Sequence, residues 1–308
     1  MKKLMALCLL MGCLCMTACT GEPARQGEGL QVIASNFPLY DFARQIGGDS
    51  VQVELLLDPG VESHSFEPTP QDMIAIQKAD VFLYIGGESE AWINSLADSS
   101  LEQNGVALLN SVELLEEEEQ EGHQDHEGHE EHEADEHIWT SPKNAVKMAE
   151  TICQAFCRAD PDNSQAYQSR LAAYRKKLTE LDQTFQTIVD IGVRRELIFG
   201  DRFPFRYFAQ EYGLECYGAF GGCAAQAEPS AATMAFLIDK VKEDGIPVVF
   251  YLELSNHSIA NAIGEATGAK TALFHSCHNV SKQEFDRGET YLSIMEQNAQ
   301  RLKEALGE

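Results

Sequence analysis

From residue 30 onward the chain alternates short apolar runs with amphipathic segments. LQVIAS and VQVELLL have the length and branched side chains of buried strands, and FPLYDFARQIGG between them has the spacing of a helix that ends at two glycines. TPQDMIAIQKA is typical of a helix that starts at threonine and proline, and DVFLYIGG of another strand. Strands that alternate with helices predict βαβ units and a mostly parallel sheet, so the expected fold class is α/β.

A long helix interrupts this alternation in the middle of the chain. Between residues 161 and 190, apolar residues recur at intervals of three and four, as on one face of a helix. These residues are Tyr167, Leu171, Tyr174, Leu178, Leu181, Phe185 and Ile188. At about 1.5 Å per residue the helix would be roughly 40 Å long, which is enough to run the height of two domains.

After this helix the α/β alternation restarts with RRELIFGD and continues to an amphipathic segment at the end of the chain. We therefore predict two α/β lobes with mostly parallel sheets, joined by one long rigid helix. The N-terminal lobe would comprise residues 30–160, the joining helix residues 161–190, and the C-terminal lobe residues 191–308. A chain of this length and an apolar content of 44% suit two domains with cores of their own.

The first 29 residues have the pattern of an export signal followed by a tether. Two lysines, an apolar run and small residues up to Cys19 are arranged as in a secretory signal peptide, and the run is too short for a stable membrane span. MTAC resembles the lipobox of bacterial lipoproteins, whose cysteine becomes the lipidated first residue. We therefore expect a signal over 1–19, a flexible tether over 20–29 and an extracytoplasmic protein anchored in the membrane by Cys19. An ordinary signal peptide is the alternative, and the type of cell envelope stays open.

Acidic and histidine residues are concentrated in residues 116–136. The net charge is −26, and 13 of the 49 acidic residues lie between Glu113 and Glu136, where the chain has no lysine or arginine. Four histidines recur there at every third position: His123, His126, His129 and His132. We expect a disordered loop whose carboxylates attract cations and whose imidazoles capture them transiently, although a solvated loop without a role is the alternative. Because the chain has no basic stripe, nucleic acid is not an expected partner.

Five cysteines remain after the signal, an odd number without C-x-x-C spacing. They are Cys153, Cys157, Cys216, Cys223 and Cys277. An exported protein can form disulfides, and a bridge between Cys223 and Cys277 is one possibility. Cys153 and Cys157 are one helical turn apart, which favours packed side chains over metal ligands.

Histidines and carboxylates follow several predicted strands. Ligands of parallel α/β sheets bind beyond the carboxyl ends of the strands. The residues at such positions are His64, Asp201, Glu253, His275 and His278, and His137 stands just before a helix. Imidazoles and carboxylates that converge from several loops predict a site for a first-row divalent metal ion. A structural or surface role is the alternative for each of them, and His257 is interpreted as a surface or capping residue.

Five stretches resemble one known family, in the same order along the chain. They are PGVESHSFEPTPQDMIAIQKADVFLYIGGESEAW, DEHIWTSPKNA, FRYFAQEYGL, AEPS and GETYLSIMEQNAQRLKEAL. Together they are similar to the ZnuA-like zinc-uptake substrate-binding lipoproteins, which serve ABC transporters. The resemblance covers nearly the whole mature chain. It implies two lobes bridged by one long helix, a Zn²⁺ ion buried between the lobes, and an ABC permease with its ATPase as the partner.

The resemblance also implies which residues bind the metal. The resemblance implies that His64 is the first ligand and His137 the second. Zinc-type members of the family also have a histidine-rich acidic loop just before the second ligand, which corresponds to residues 116–136 here. The C-terminal half departs from the family, because Arg202 stands six residues before the phenylalanine of YF, where a histidine or glutamate is usual. A guanidinium stays protonated and offers no lone pair, so Arg202 cannot be a ligand.

We expect other residues of the C-terminal half to replace the missing ligands. His275 and His278 are the first candidates, Glu253 is the reserve ligand, and Asp201 is a more distant one. Arg202 would then lie beside the metal ligands and pair with Glu253.

A four-coordinate, nitrogen-rich and closed site favours zinc over manganese. A manganese or iron receptor of the same type is the nearest alternative function, and a surface adhesin or metal buffer is another. A zinc hydrolase would need an open coordination position and a general base, and neither H-E-x-x-H nor G-x-S-x-G occurs in the chain. We therefore expect a monomeric binding protein rather than an enzyme.

Overall fold

The N-terminal lobe is built on a four-stranded parallel sheet. This computed structural model describes residues 29–63, 66–96, 98–115, 134–220 and 229–307. The strands are β1 (Leu30–Ala34), β2 (Val51–Leu55), β3 (Val81–Tyr84) and β4 (Gly105–Ala107). They are arranged in the order β2-β1-β3-β4 and are all parallel. The helices of this lobe are α1 (Phe37–Gly47), α2 (Pro70–Lys78) and α3 (Asp98–Asn104), with a 3₁₀ segment over Glu88–Ser95.

Two helices follow the N-terminal sheet. A short 3₁₀ turn (Ile138–Thr140) leads into α4 (Pro142–Ala159), where the side chain of Ser141 accepts a hydrogen bond from the N–H of Asn144 and so caps the helix. Helix α5 (Ser164–Ile191) then runs for 28 residues, or about 42 Å at the usual rise. Six of the seven apolar positions predicted for its inner face are buried, and the seventh, Leu171, is partly buried. The predicted joining helix is therefore confirmed.

The C-terminal lobe repeats the architecture of the first. Its strands are β5 (Glu196–Phe199), β6 (Glu215–Gly218), β7 (Val248–Tyr251) and β8 (Lys270–Leu273), in the order β6-β5-β7-β8 and all parallel. Its helices are α6 (Arg206–Tyr212), α7 (Ala231–Glu243), α8 (Ser258–Thr267), α9 (Lys282–Asp286) and α10 (Tyr291–Leu306). The expected α/β class with two parallel sheets is thus confirmed.

One continuous apolar core extends through both lobes. Helix α5 packs against α1 and α4 on the N-terminal side and against α10 on the C-terminal side. Phe42 of α1 meets Tyr291 of α10 with ring centroids 5.0 Å apart, and Phe185 of α5 meets Phe208 of α6 at 4.9 Å. Because these contacts bury large rings between the lobes, separating the lobes on this side would expose apolar surface, which is unfavourable.

Two details differ from the sequence-based expectations. Cys277 is a buried free thiol that packs in the main core, so a bridge from Cys277 to Cys223 is not formed, and Cys223 itself lies outside the described residues. Asp135 and Glu136, which we assigned to the acidic loop, are described and buried. None of the helices in the described part of the chain is both long enough and apolar enough to cross a membrane.

Candidate metal site

The carboxyl ends of both sheets face a cleft between the lobes. The loops after β2, β5, β7 and β8 contribute to it, together with the segment before α4. Among the residues that line the cleft are Glu62, Ser63, His137, Arg202, Glu253 and His278. This position agrees with the general rule for ligand sites of parallel sheets.

His137 is buried on the N-terminal side of the cleft and is held by a carboxylate. Its backbone N–H donates to Asp135 Oδ1 over 2.8 Å, and its Nδ1 lies 3.0 Å from the same oxygen. Because an ionised carboxylate can only accept, Nδ1 carries the proton and Nε2 keeps the lone pair that a metal ion needs.

Asp135 is kept ionised by its neighbours. Burial opposes its charge, but the contact with His137 and the positive charge of Arg206 outweigh this effect and hold the pKa of Asp135 below its usual value. Tyr207 adds a hydrogen bond from its hydroxyl to the backbone oxygen of Asp135 over 2.8 Å. Since Arg206 and Tyr207 belong to α6, the C-terminal lobe supports the residue that orients His137.

His278 faces the same cleft from the C-terminal lobe. Its backbone N–H donates to Ser276 Oγ over 3.1 Å, and its Nδ1 lies 3.2 Å from Ser63 Oγ of the opposite lobe. The ring of His278 packs edge-on against Trp139 at 4.9 Å and against His137 at 5.5 Å between centroids. The two imidazoles therefore meet from opposite lobes.

The structure does not collect a complete ligand set around these two rings. Within the described ranges, no group of three or more His, Cys, Asp or Glu side chains is close enough to hold a metal ion. His64 lies outside the described residues, but it follows Ser63 directly in the chain, and Ser63 contacts His278.

His275 is directed into its own lobe. The N–H of Cys277 donates to its Nδ1 over 2.9 Å, and its Nε2 lies 3.8 Å from Glu284 Oε1. Its backbone exchanges two hydrogen bonds with the side chain of Asn298, at 2.9 and 2.7 Å. Of the two histidines that we expected to act together, His278 is among the described residues that line the cleft, and His275 is not.

The carboxylates after β5 and β7 have separate roles. Glu253 lines the cleft, and it accepts hydrogen bonds from the N–H of Ser276, over 2.8 Å, and from the hydroxyl of Ser276. The carboxylate of Asp201 instead accepts hydrogen bonds from the backbone N–H of Arg202, over 2.9 Å, and from that of Leu252, over 3.2 Å. It therefore connects the loop after β5 to the loop after β7.

Arg202 contacts a different carboxylate from the one we expected. Its two terminal nitrogens each lie 3.1 Å from an oxygen of Glu62. The two side chains thus form a bidentate ion pair across the cleft. Glu253, the expected partner, is held by Ser276 on the same lobe. Glu62 reaches Arg202 because it lies on the loop after β2, which faces the loop after β5.

Further hydrogen bonds hold the lobes together beside the cleft. The indole N–H of Trp139 donates to the backbone oxygen of Ser276 over 2.8 Å. The side-chain amide of Asn279 donates to the backbone oxygens of Asp58 and Val61, over 2.8 and 2.9 Å. These bonds cross from one lobe to the other, so the structure represents a closed arrangement.

Several residues of the site were not predicted from the sequence. Asp135 and Glu62 stand two positions before histidines, in D-E-H and E-S-H, and that spacing is the signal that points to them. Ser63 and Ser276 carry no comparable signal, because their role depends on how the two loops meet. The predicted capture residues His123, His126, His129 and His132 and the predicted anchor Cys19 lie outside the described residues.

Comparison with known proteins places the chain in one family. The family described as the periplasmic zinc-uptake complex component A, ZnuA, matches residues 32–305. The high-affinity zinc uptake system protein ZnuA of Bacillus subtilis (strain 168) is 35% identical over 307 residues, which cover 98% of this chain and 95% of that protein. The zinc-binding lipoprotein AdcA of Streptococcus pneumoniae (strain R6) is 32% identical over 308 residues, but these span 61% of its length.

A solved structure supports the same conclusion. The laminin-binding protein Lmb of Streptococcus agalactiae, described as a bifunctional protein with adhesin and metal transporting activity, has a TM-score of 0.77 and 26% identity. The similarity covers 90% of this chain and all of that one. The chain therefore belongs to the ZnuA family, the non-enzymatic substrate-binding components of zinc-uptake ABC systems.

Proposed function

We propose that this chain captures Zn²⁺ in the cleft between its lobes and delivers it to the permease and ATPase of an ABC transporter. The observation that carries the proposal is the pair formed by His137 and His278. Their ring centroids lie 5.5 Å apart, one in each lobe. The Nδ1 of His137 donates to the carboxylate of Asp135, so Nε2 of His137 is the proposed metal donor, and His278 would bind the same ion through one of its ring nitrogens.

We propose His64, His137 and His278 as the nitrogen ligands and Glu253 as the fourth donor. His64 is supported by the contact between its neighbour Ser63 and His278. Glu253 is supported by its place in the lining of the cleft. Because the described side chains do not gather three such ligands in this structure, Glu253 would leave Ser276 and move towards the two rings when the ion binds. His275 is left out of the set because its ring nitrogens face groups of its own lobe.

Zinc is the proposed cargo rather than manganese. Three imidazoles and one carboxylate form a nitrogen-rich, four-coordinate set, which suits zinc, whereas manganese prefers more oxygen ligands and a higher coordination number. The names of the relatives ZnuA and AdcA support the same choice.

We further propose that lipidation of Cys19 anchors the protein at the outer face of the cytoplasmic membrane or at the cell surface. The lipobox pattern supports the anchor, and so do the description of the family as periplasmic and the name of the lipoprotein AdcA. Residues 20–29 would give the lobes room to meet a permease. The histidines of the acidic segment would raise the concentration of Zn²⁺ near the cleft.

Calorimetric titration with Zn²⁺ tests the ligand set. We expect His137→Ala and His278→Ala each to weaken binding at least about 100-fold, because each removes one metal–nitrogen bond. His275→Gln is expected to bind like the unmodified protein, and so is the matched control His257→Ala, whose ring stacks on Tyr251 at 3.9 Å. Thermal unfolding would verify that each variant is folded. Unchanged affinity in folded His137→Ala and His278→Ala would contradict the proposal.

A titration with Mn²⁺ under the same conditions separates the two receptor types. We expect Mn²⁺ to bind more weakly than Zn²⁺ and to be displaced by it. Tighter binding of Mn²⁺ would identify the chain as a manganese receptor.

A further inference from the structure

Arg202, which cannot be a metal ligand, forms a cross-lobe ion pair at the cleft. Its guanidinium meets the carboxylate of Glu62 through two parallel contacts of 3.1 Å, the geometry in which arginine pairs most strongly with a carboxylate. Glu62 belongs to the loop after β2 and Arg202 to the loop after β5. Both side chains line the same cleft as His137 and His278.

The ion pair lies on the outer side of this cleft. The side chains of Glu62 and Arg202 are 40% and 23% exposed, whereas the side chain of His137 is 1% exposed. The ion pair is therefore more accessible to solvent than the imidazole of His137. Because Glu62 and Arg202 line the same cleft as His137, an ion that moves between solvent and His137 through this cleft passes beside them.

The charges explain why these two residues are paired. A lone guanidinium beside a metal site would repel a divalent cation, because two positive charges interact strongly where water is partly excluded. A carboxylate at hydrogen-bond distance cancels this repulsion. The pair thus joins the lobes with little net charge at the site.

We propose that the Glu62–Arg202 ion pair is a gate that must open for Zn²⁺ to enter or leave the cleft, and that it sets the rate of release. This inference rests on the proposed function and adds a role for Arg202. Arg202 is a positioning residue here, since it acts through Glu62 and the two loops and does not bind the ion.

The test measures Zn²⁺ release by stopped flow, with a fluorescent zinc chelator that captures the released ion. For Arg202→Gln and Glu62→Gln we expect release about two- to five-fold faster, the range that the loss of one partly exposed ion pair allows. Exchanging the two residues in the double variant Glu62→Arg, Arg202→Glu should restore slow release. Such restoration is not expected if either residue acts alone.

A second ion pair provides the matched control. Lys143 of α4 and Glu211 of α6 also pair across the lobes, but they lie outside the residues that line the cleft. Lys143→Gln removes a cross-lobe ion pair of the same kind, and we expect it to leave the release rate unchanged.

Whether Arg202→Gln speeds or slows the release of Zn²⁺ distinguishes a gate from direct repulsion between Arg202 and the ion. If Arg202 only repels the ion, its neutralisation would slow release, whereas the loss of a gate accelerates it. Slower or unchanged release from Arg202→Gln would therefore overturn the proposal. If the unmodified protein bound no Zn²⁺ at all, the proposed function itself would fail, which is a different result from normal binding with unchanged release rates.

Discussion

Asp135 is the residue that most directly decides what His137 can do. It fixes the proton on Nδ1 and contributes a negative charge behind the imidazole, which makes Nε2 a better donor. An asparagine in its place could still accept the hydrogen bond from Nδ1, but it would carry no charge.

We therefore expect Asp135→Asn to weaken Zn²⁺ binding about 10- to 100-fold, the usual cost of losing a carboxylate behind a metal-bound histidine. A competition titration against a chelator of known affinity would measure this. Asp190→Asn, which changes an exposed carboxylate of α5, is the control and should have no effect. An unchanged affinity of Asp135→Asn would show that the carboxylate does not support a ligand.

The sequence could indicate candidate ligands but not choose between neighbours. His275 and His278 are three positions apart in an irregular loop, where Cys277 has the left-handed backbone angle φ of 63°. In a strand or helix the relative directions of two such residues follow from the period. In this loop they depend on an unusual turn, so only the structure could show that His278 turns towards the cleft and His275 towards Glu284.

At the scale of elements, the two ends of the acidic segment lie side by side. The N–H of Asp135 donates to the backbone oxygen of Leu115 over 2.9 Å, and Tyr207 contacts the backbone at both Leu115 and Asp135. Because residues 115 and 135 are adjacent, a short glycine–serine link is long enough to replace residues 116–133, and we expect Asp135 and His137 to keep their positions.

We expect this replacement to leave the affinity of the tight site within about two-fold of the original. The sequence predicts a disordered loop here, and a disordered chelator would lose conformational entropy whenever it binds an ion, so its binding should be weak. Calorimetry should show only the weaker binding events disappear. Loss of the tight event would mean that the acidic segment supplies the high-affinity ligands.

The 3₁₀ segment Glu88–Ser95 contains a buried carboxylate that predicts a pH-dependent stability. Burial raises the pKa of Glu90 from 4.5 to about 7, and the charge of Glu136 adds to this rise, although a hydrogen bond of 2.7 Å from the N–H of Gly86 opposes it. Between pH 4.5 and about 7, Glu90 keeps its proton in the folded protein but has lost it in the unfolded chain. The stability of the protein therefore falls as the pH rises from about 4.5 to 7, and the cost is complete above 7.

Glu90→Gln removes this charge. At pH 8 we expect the variant to have a free energy of unfolding on the order of 1–3 kcal/mol higher than that of the unmodified protein, with little difference near pH 4.5. Urea titrations at the two pH values would measure it. Glu102→Gln, at an exposed position of α3, is the control. A gain that is equal at both pH values would show that the effect is one of packing rather than of charge.

At the scale of the whole molecule, the sequence predicted the architecture well. The alternation of strands and helices and the apolar face of α5 depend on regular periods, and two parallel sheets with a long joining helix are what the structure has. Contacts between the lobes could not be predicted in this way. The bonds from Asn279 to the loop after β2 and from Arg202 to Glu62 join positions far apart in the chain, and no local pattern encodes such pairs.

The closed arrangement follows from these contacts and from the shared core. Rings from α1, α5, α6 and α10 pack together in the shared core, and polar bonds cross between the lobes beside the cleft. A frame of this kind should allow small movements of the loops and oppose wide separation of the lobes. Release of the ion would then depend on the loops rather than on a large hinge.

The location of the bound ion is the most direct test of this account. Crystals grown with Zn²⁺, with anomalous diffraction recorded at the zinc absorption edge, should show one strong peak between the lobes, within about 2.0–2.1 Å of Nε2 of His137 and of a ring nitrogen of His278. An empty cleft, with the anomalous signal confined to residues 116–133 or to the surroundings of His275 and Glu284, would contradict it.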